Sequence, residues 1–217
     1  MQGRPIPYDR AVKSRLPLAA WYLLIAGLAW WGWSVNMHDV LVDMVYFSNI
    51  TVLTVAVVYS ALTVATLRGD RGGGLIGTVA RGACAMYAVI VAIIFNTLLD
   101  ADLSYLSSLL EHAVVPALVV IDWLLVRRRE PRLRGRVLLA WMVIPMLYIP
   151  LYTFNDRPGE PGVPIYGFLD PAASNYWPML CAFAGFFVIV GAVVWALRTV
   201  TPRRSPAAEP YDLRRSS

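Results

Sequence analysis

Six stretches of almost uninterrupted apolar residues alternate with short polar connections along this chain: 17–35, 44–67, 78–99, 103–126, 136–154 and 176–199. A helix crossing the hydrocarbon of a bilayer needs about 20 mostly apolar residues, and each stretch is close to that length. The connections are 36–43, the glycine-rich 68–77, the corner 100–102, 127–135 and the longer 155–175. The pattern predicts an all-α, polytopic integral membrane protein, a six-transmembrane-helix bundle that is multi-pass in the cell membrane. It divides the chain into an N-terminal segment 1–15, a membrane domain 16–200 and a disordered tail 201–217. No internal repeat is visible.

Composition strengthens this picture. Of 217 residues, 58% are hydrophobic and 15% charged, and the mean hydropathy is +0.57. A soluble domain is less apolar, and six spans leave no room for one. The first apolar run ends in Trp30, Trp31 and Trp33. It is longer than a signal peptide's apolar core and has no small-residue cleavage site, so it reads as a retained first span with tryptophans in the interfacial belt.

The net charge of +5 is distributed by topology. Eighteen of the 19 basic residues fall before the first span, beside the second and fourth connections, or after the last span; Arg157 alone lies on the other side. By the positive-inside rule both termini are cytoplasmic. Asp39, Asp43, Asp100, Asp102, Asp156, Glu160 and Asp170 then fall outside. Short basic loops fit contact with anionic lipid head groups, and no aromatic–basic motif of a nucleic-acid reader occurs. Cys84 and Cys181 lie within spans and read as core residues, neither a disulfide framework nor a metal site.

Polar residues inside apolar spans are costly, so they face protein, pair, or carry out chemistry. Ser48, Asn49, Thr51 and Thr54 lie near the outer end of the second span. Asn96 and Thr97 close the third, and Ser107, Ser108, Glu111 and His112 open the fourth. These sets share a depth and are expected to form one polar pocket, with Asp170 on the loop above. Each hydroxyl or amide also has a structural reading, because Ser and Thr bond carbonyls one turn back and Asn ties helices together. His112 stands four residues before Pro116, which removes the amide its carbonyl needs and predicts a kink. Asp122 reads as a partner of Arg127, Arg128 and Arg129 near the inner end. His38 reads as a solvated loop residue.

The segment His112-Ala-Val-Val-Pro116, continuing to Ile121-Asp122-Trp123, resembles the fourth helix of the androgen-induced and androgen-dependent TFPI-regulating membrane proteins. Tyr46-Phe47-Ser48 is similar to that family's aromatic–hydrophobic–threonine step. Tyr166-Gly-Phe-Leu-Asp170 is similar to its tyrosine–proline–phenylalanine–leucine–acidic stretch, with Gly167 in place of the proline. The resemblance implies a six-helix membrane hydrolase that cleaves fatty acid esters of hydroxy fatty acids with a threonine nucleophile and a histidine. His112 takes the place of the histidine. Ser48 stands at the nucleophile, with Thr51, three residues on, as the alternative.

Such chemistry needs an imidazole to take the hydroxyl's proton. Glu111 or Asp170 could orient that imidazole, although adjacent helical side chains diverge by about 100° and Glu111 is ill placed for it. Asn49 or Asn96 could donate to an oxyanion. The reading is therefore a Ser/Thr-dependent hydrolase of fatty acyl esters with no cofactor, with membrane lipids and an acyl ester substrate as partners. The alternative is a non-catalytic lipid-binding protein or small-solute carrier whose polar residues hold helices together. Haem ligation by His38 and His112 has little basis, and an intramembrane serine protease lacks its Gly-x-Ser-Gly step.

Overall fold

The computed structural model describes residues 15–37, 39–70, 74–99, 102–126 and 133–200. Both terminal segments, including the tail expected to be disordered, lie outside the described residues, as do His38, Arg71, Asp100 and the arginine run 127–132. The described chain is dominated by helices. They are α1 (Leu16–Asn36), the short α2 (Val40–Asp43), α3 (Phe47–Arg68) and α4 (Gly74–Leu98). Next, α5 (Leu106–Leu109) runs through a π-helical turn (Leu110–Val114) into α6 (Val115–Leu125). Then come α7 (Val137–Trp141), α8 (Val143–Thr153) and α9 (Tyr176–Val200).

Among the described residues, five helices are long and apolar enough to cross a membrane: Leu16–Val35, Phe47–Arg68, Gly74–Leu98, Leu106–Leu125 and Tyr176–Arg198. The fifth apolar run differs from its expected single helix over 136–154. It is shorter, Val137–Thr153, and broken at Met142. Pro145 has no amide to give to the Trp141 carbonyl, and the Tyr87 hydroxyl donates to that carbonyl instead, at 2.5 Å. An outside donor thus makes the break stable.

Proline also explains the π turn. Pro116 cannot donate to the carbonyl of His112, so the helix widens around residues 110–114. There the Val115 amide reaches back five residues to Leu110. The expected kink therefore takes the form of a π turn with His112 inside it. At the end of α3, Gly69 adopts φ +98°, and its amide bonds the carbonyls of Ala65 and Thr66; only glycine takes that left-handed stop at no steric cost.

The connection 155–175 is not featureless. Strands β1 (Asp156–Arg157) and β2 (Glu160–Pro164) form a small antiparallel hairpin, followed by a 3-10 turn, Gly167–Leu169. This defines the loop end of the bundle; the opposite end carries Arg134 and Arg198.

Helix α4 is the hub. In its most apolar window 56% of residues are buried inside the protein, against 17% for α9, which therefore sits at the periphery. At Gly82 a side chain would collide with the Trp141 ring and come within 2.9 Å of the Trp123 ring, so glycine permits the close approach of α4, α6 and α7. Outward faces stay apolar: Ile76, Leu125, Leu139, Leu147 and Ile189 are all largely exposed.

Near the arginine end, Asp122 is fully buried. Among the described residues its ion-pair partner is Arg81, equally buried, 2.7 Å from its carboxylate; the 127–129 arginines expected beside it lie outside the described residues. Tyr59 Oη and Trp21 Nε1 donate to the same carboxylate at 2.7 and 2.9 Å. The guanidinium also donates to the carbonyls of Asp122 and Val126 and lies 5.7 Å from the centre of the Tyr22 ring. A guanidinium buried among helices needs its donors satisfied close by, and residue 122 supplies both a carboxylate and a carbonyl. Cys84 is buried as expected; Cys181, read as a core residue, is exposed on α9.

Candidate active site

A cavity of about 540 Å3 opens at the loop end of the bundle. The first turn of α3 contributes Phe47 and Ser48, the last turn of α4 and the residue after it contribute Phe95 and Leu99, and the π turn contributes His112. Tyr148 of α8 and Phe183 of α9 line the remaining sides, and Tyr166, Phe168 and Leu169 cover the top. Its wall is largely apolar, with a few polar groups converging on it, the usual composition of a small-molecule site.

His112 is held from two directions. Its Nδ1 lies 3.1 Å from the Ser108 carbonyl. A carbonyl only accepts, so this bond places a proton on Nδ1 and leaves Nε2 of the neutral ring as a base. The ring stacks on Phe95, with centroids 3.7 Å apart and planes inclined by 12°. Ser48 reaches the same cavity from the second position of α3. Backbone amides in a helix's first turn have no acceptor within the helix.

The remaining expected site residues lie elsewhere. Thr51 is buried, its hydroxyl has no partner among the described residues, and it does not border the cavity. Asn49 is buried and donates to the Asp43 carbonyl at 2.7 Å, closing the turn between α2 and α3. Asn96 is exposed and bonds the Ala92 carbonyl of its own helix. With its neighbour Phe95 turned onto His112, Asn96 is rotated away by about 100°. Thr54 and Thr97 likewise bond carbonyls four residues back. Glu111 is buried, and its Cγ packs against Gly32 of α1, away from the His112 ring. Asp170 follows the cavity's cover, but its carboxylate accepts from the Ala172 amide in a local turn. No carboxylate borders the cavity among the described residues.

The aromatic cover was not anticipated as part of the site. Tyr166 accepts a hydrogen bond from the Phe47 amide at 3.0 Å, satisfying one of α3's unpaired N-terminal donors. Burial pushes its phenol above the ordinary value, so it stays neutral there. Tyr152, Tyr166, Phe168 and Phe183 stack in sequence with interplanar angles of 12°, 15° and 14°. Tyr152 donates to the carbonyls of Leu169 and Tyr166, and Tyr148 donates to Val45 at 2.6 Å. Arg157 reaches the cavity edge from the hairpin, 3.5 Å from Glu160. The available sequence signal was aromatic clustering in the 46–47 and 166–168 stretches, which resembles interfacial tyrosine and phenylalanine anywhere on a membrane protein.

No family model, curated protein or solved structure matches this chain.

Proposed function

We propose that this chain is a membrane-embedded hydrolase of fatty acyl esters, with Ser48 as nucleophile and His112 as base. One observation carries the reading. Tyr46, Phe47 and Ser48, then His112, then Tyr166, Phe168 and Leu169, far apart in sequence, line a single apolar cavity, and each set belongs to a stretch in which the chain resembles the androgen-induced and androgen-dependent TFPI-regulating proteins. The same resemblance supports membership of that family. The apolar outer faces of five long helices support a bilayer location, with the broken fifth run as a sixth span. The crowding of arginine at one end supports cytoplasmic termini.

In this mechanism Nε2 of His112 takes the Ser48 proton as Oγ attacks the ester carbonyl. The tetrahedral oxyanion sits at the first turn of α3, where backbone amides and the helix dipole favour negative charge. Collapse expels the alcohol, which receives the proton from His112, and leaves an acyl-Ser48. Water, deprotonated by His112, then releases the fatty acid. No carboxylate is needed to fix the imidazole, because the Ser108 carbonyl fixes its tautomer and Phe95 its plane.

Purified protein should label with a fluorophosphonate probe. Labelling and ester turnover should both vanish in Ser48→Ala and in His112→Ala, each costing about as much as both together. Thr51→Ala should label like the parent. The shortage of polar groups in the cavity favours a second reading, a non-catalytic lipid-binding protein. Unchanged turnover and labelling in Ser48→Ala would select it.

A further inference from the structure

A second, wholly apolar groove of about 620 Å3 runs along the outside of the bundle between α7–α8 and α9. Met142, Met146 and Ala184 line both this groove and the central cavity, so the two voids share a wall. Helices α8 and α9 hardly touch along their backbones, although α9 packs against α4 and α7. The break at Met142 leaves the shorter α8 apart from α9, and flexible methionine side chains stand where a packed helix pair would close. On the other side of the gap, a Cβ added at Gly185 would meet nothing within 4 Å. Leu139 and Leu147 on one bank, and Val188 on the other, are exposed.

We infer that this groove is a lateral portal through which a single alkyl chain of a bilayer lipid enters the cavity. The inference rests on the proposed bilayer location and adds a route and a binding site for the acyl chain. A ligand arriving from water would lose its hydration in a groove that offers no polar side chain in return. An alkyl chain loses nothing there, and methionine adapts its shape to a chain sliding past. The ester at the end of that chain would then reach the side of the cavity holding Ser48 and His112, with its polar remainder toward Tyr166 and Arg157.

The test uses full-length protein in vesicles and Gly185→Trp, a residue with open space to fill the groove. Two readouts apply: photolabelling by a long-chain diazirine fatty acid, and hydrolysis of long-chain against short-chain p-nitrophenyl esters. The portal requires Gly185→Trp to cut long-chain labelling and long-chain hydrolysis tenfold or more, with acetate ester hydrolysis within twofold of the parent. Val57→Trp, at an exposed position on α3, should change neither. If Gly185→Trp fails to fold, Val188→Trp fills the same groove. Parent-level photolabelling in the filled variant, or a Gly185→Cys protein that cross-links to a second copy across the groove, would overturn the portal. Should the parent hydrolyse no ester while Gly185→Trp still abolishes photolabelling, the hydrolase reading falls and the portal stands.

Discussion

Replacing Asp122 with alanine should destabilise the fold severely, and the structure sets the scale. The substitution removes the acceptor for Arg81 Nε, Tyr59 Oη and Trp21 Nε1, all at 2.7–2.9 Å. Leaving one member of a buried ion pair unpaired costs about 3–5 kcal/mol, and an orphaned hydroxyl adds about 1–3 kcal/mol. The carbonyls of residues 122 and 126 still receive the guanidinium, so a total of about 3–5 kcal/mol is expected. At about 2–4 °C per kcal/mol for a chain of this size, the melting temperature should fall by roughly 6–20 °C.

The protein supplies its own reporter for this measurement. Cys84 is buried and Cys181 exposed, so in a Cys181→Ala background a thiol-reactive fluorogenic dye reports only the unfolding of the core. The charge itself is not what stability requires. Arg81→Met/Asp122→Leu/Tyr59→Phe, which removes the ion pair and the hydroxyl and leaves only the Trp21 indole N–H without its acceptor, should recover most of the loss, since apolar replacement of a whole buried pair is close to neutral. A single-variant shift below about 1 kcal/mol, or a triple variant less stable than Asp122→Ala, would refute this account of Arg81 and Asp122.

Topology can be read with single cysteines in a cysteine-free background: an impermeant thiol reagent should modify Asp102→Cys and Glu160→Cys from outside intact cells but not Asp70→Cys or Arg134→Cys. Tyr166→Phe loses the bond to the Phe47 amide and should cost about 1 kcal/mol by the same thermal assay. Tyr166→Ala also uncovers the cavity, and should raise the KM for long-chain esters more than it lowers kcat. Pro116→Ala returns an amide to the His112 carbonyl; it should leave thermal stability equal or higher while reducing fluorophosphonate labelling of Ser48, and undiminished labelling would show that the π turn does not set the histidine's direction.

The long helices were legible because each apolar run is bounded by charge, glycine or proline within a few residues of its observed end. The fifth run was not, since Pro145 and Pro150 sit inside an apolar stretch and composition does not distinguish a continuous helix from a broken one. The hairpin at 156–164 is too short to leave a periodic signature. Ser48 and His112, polar residues at matching depth in the sequence, both border the cavity. Depth alone ignores the direction a side chain takes around its helix, and for that reason Asn96, Glu111 and Thr51 were grouped with them. By sequence Arg81 is one more basic residue near a connection; its pairing with a carboxylate 41 residues away goes with the close helix approach that Gly82 permits.

The π turn has a consequence for how such chains diverge. A single wide turn shifts the phase of a helix by about one residue, so residues before and after 110–114 keep separate angular registers on one axis. The turn itself aims His112 at the cavity, while the half that follows aims Asp122 and Trp123 at the bundle's interior. A chain of the same design with one residue fewer in that turn could hold Asp122 where it is and still present a different side chain to the cavity. Its reactivity would change while its architecture did not, and aligning the two sequences without a gap at the turn would assign the histidine to the wrong column.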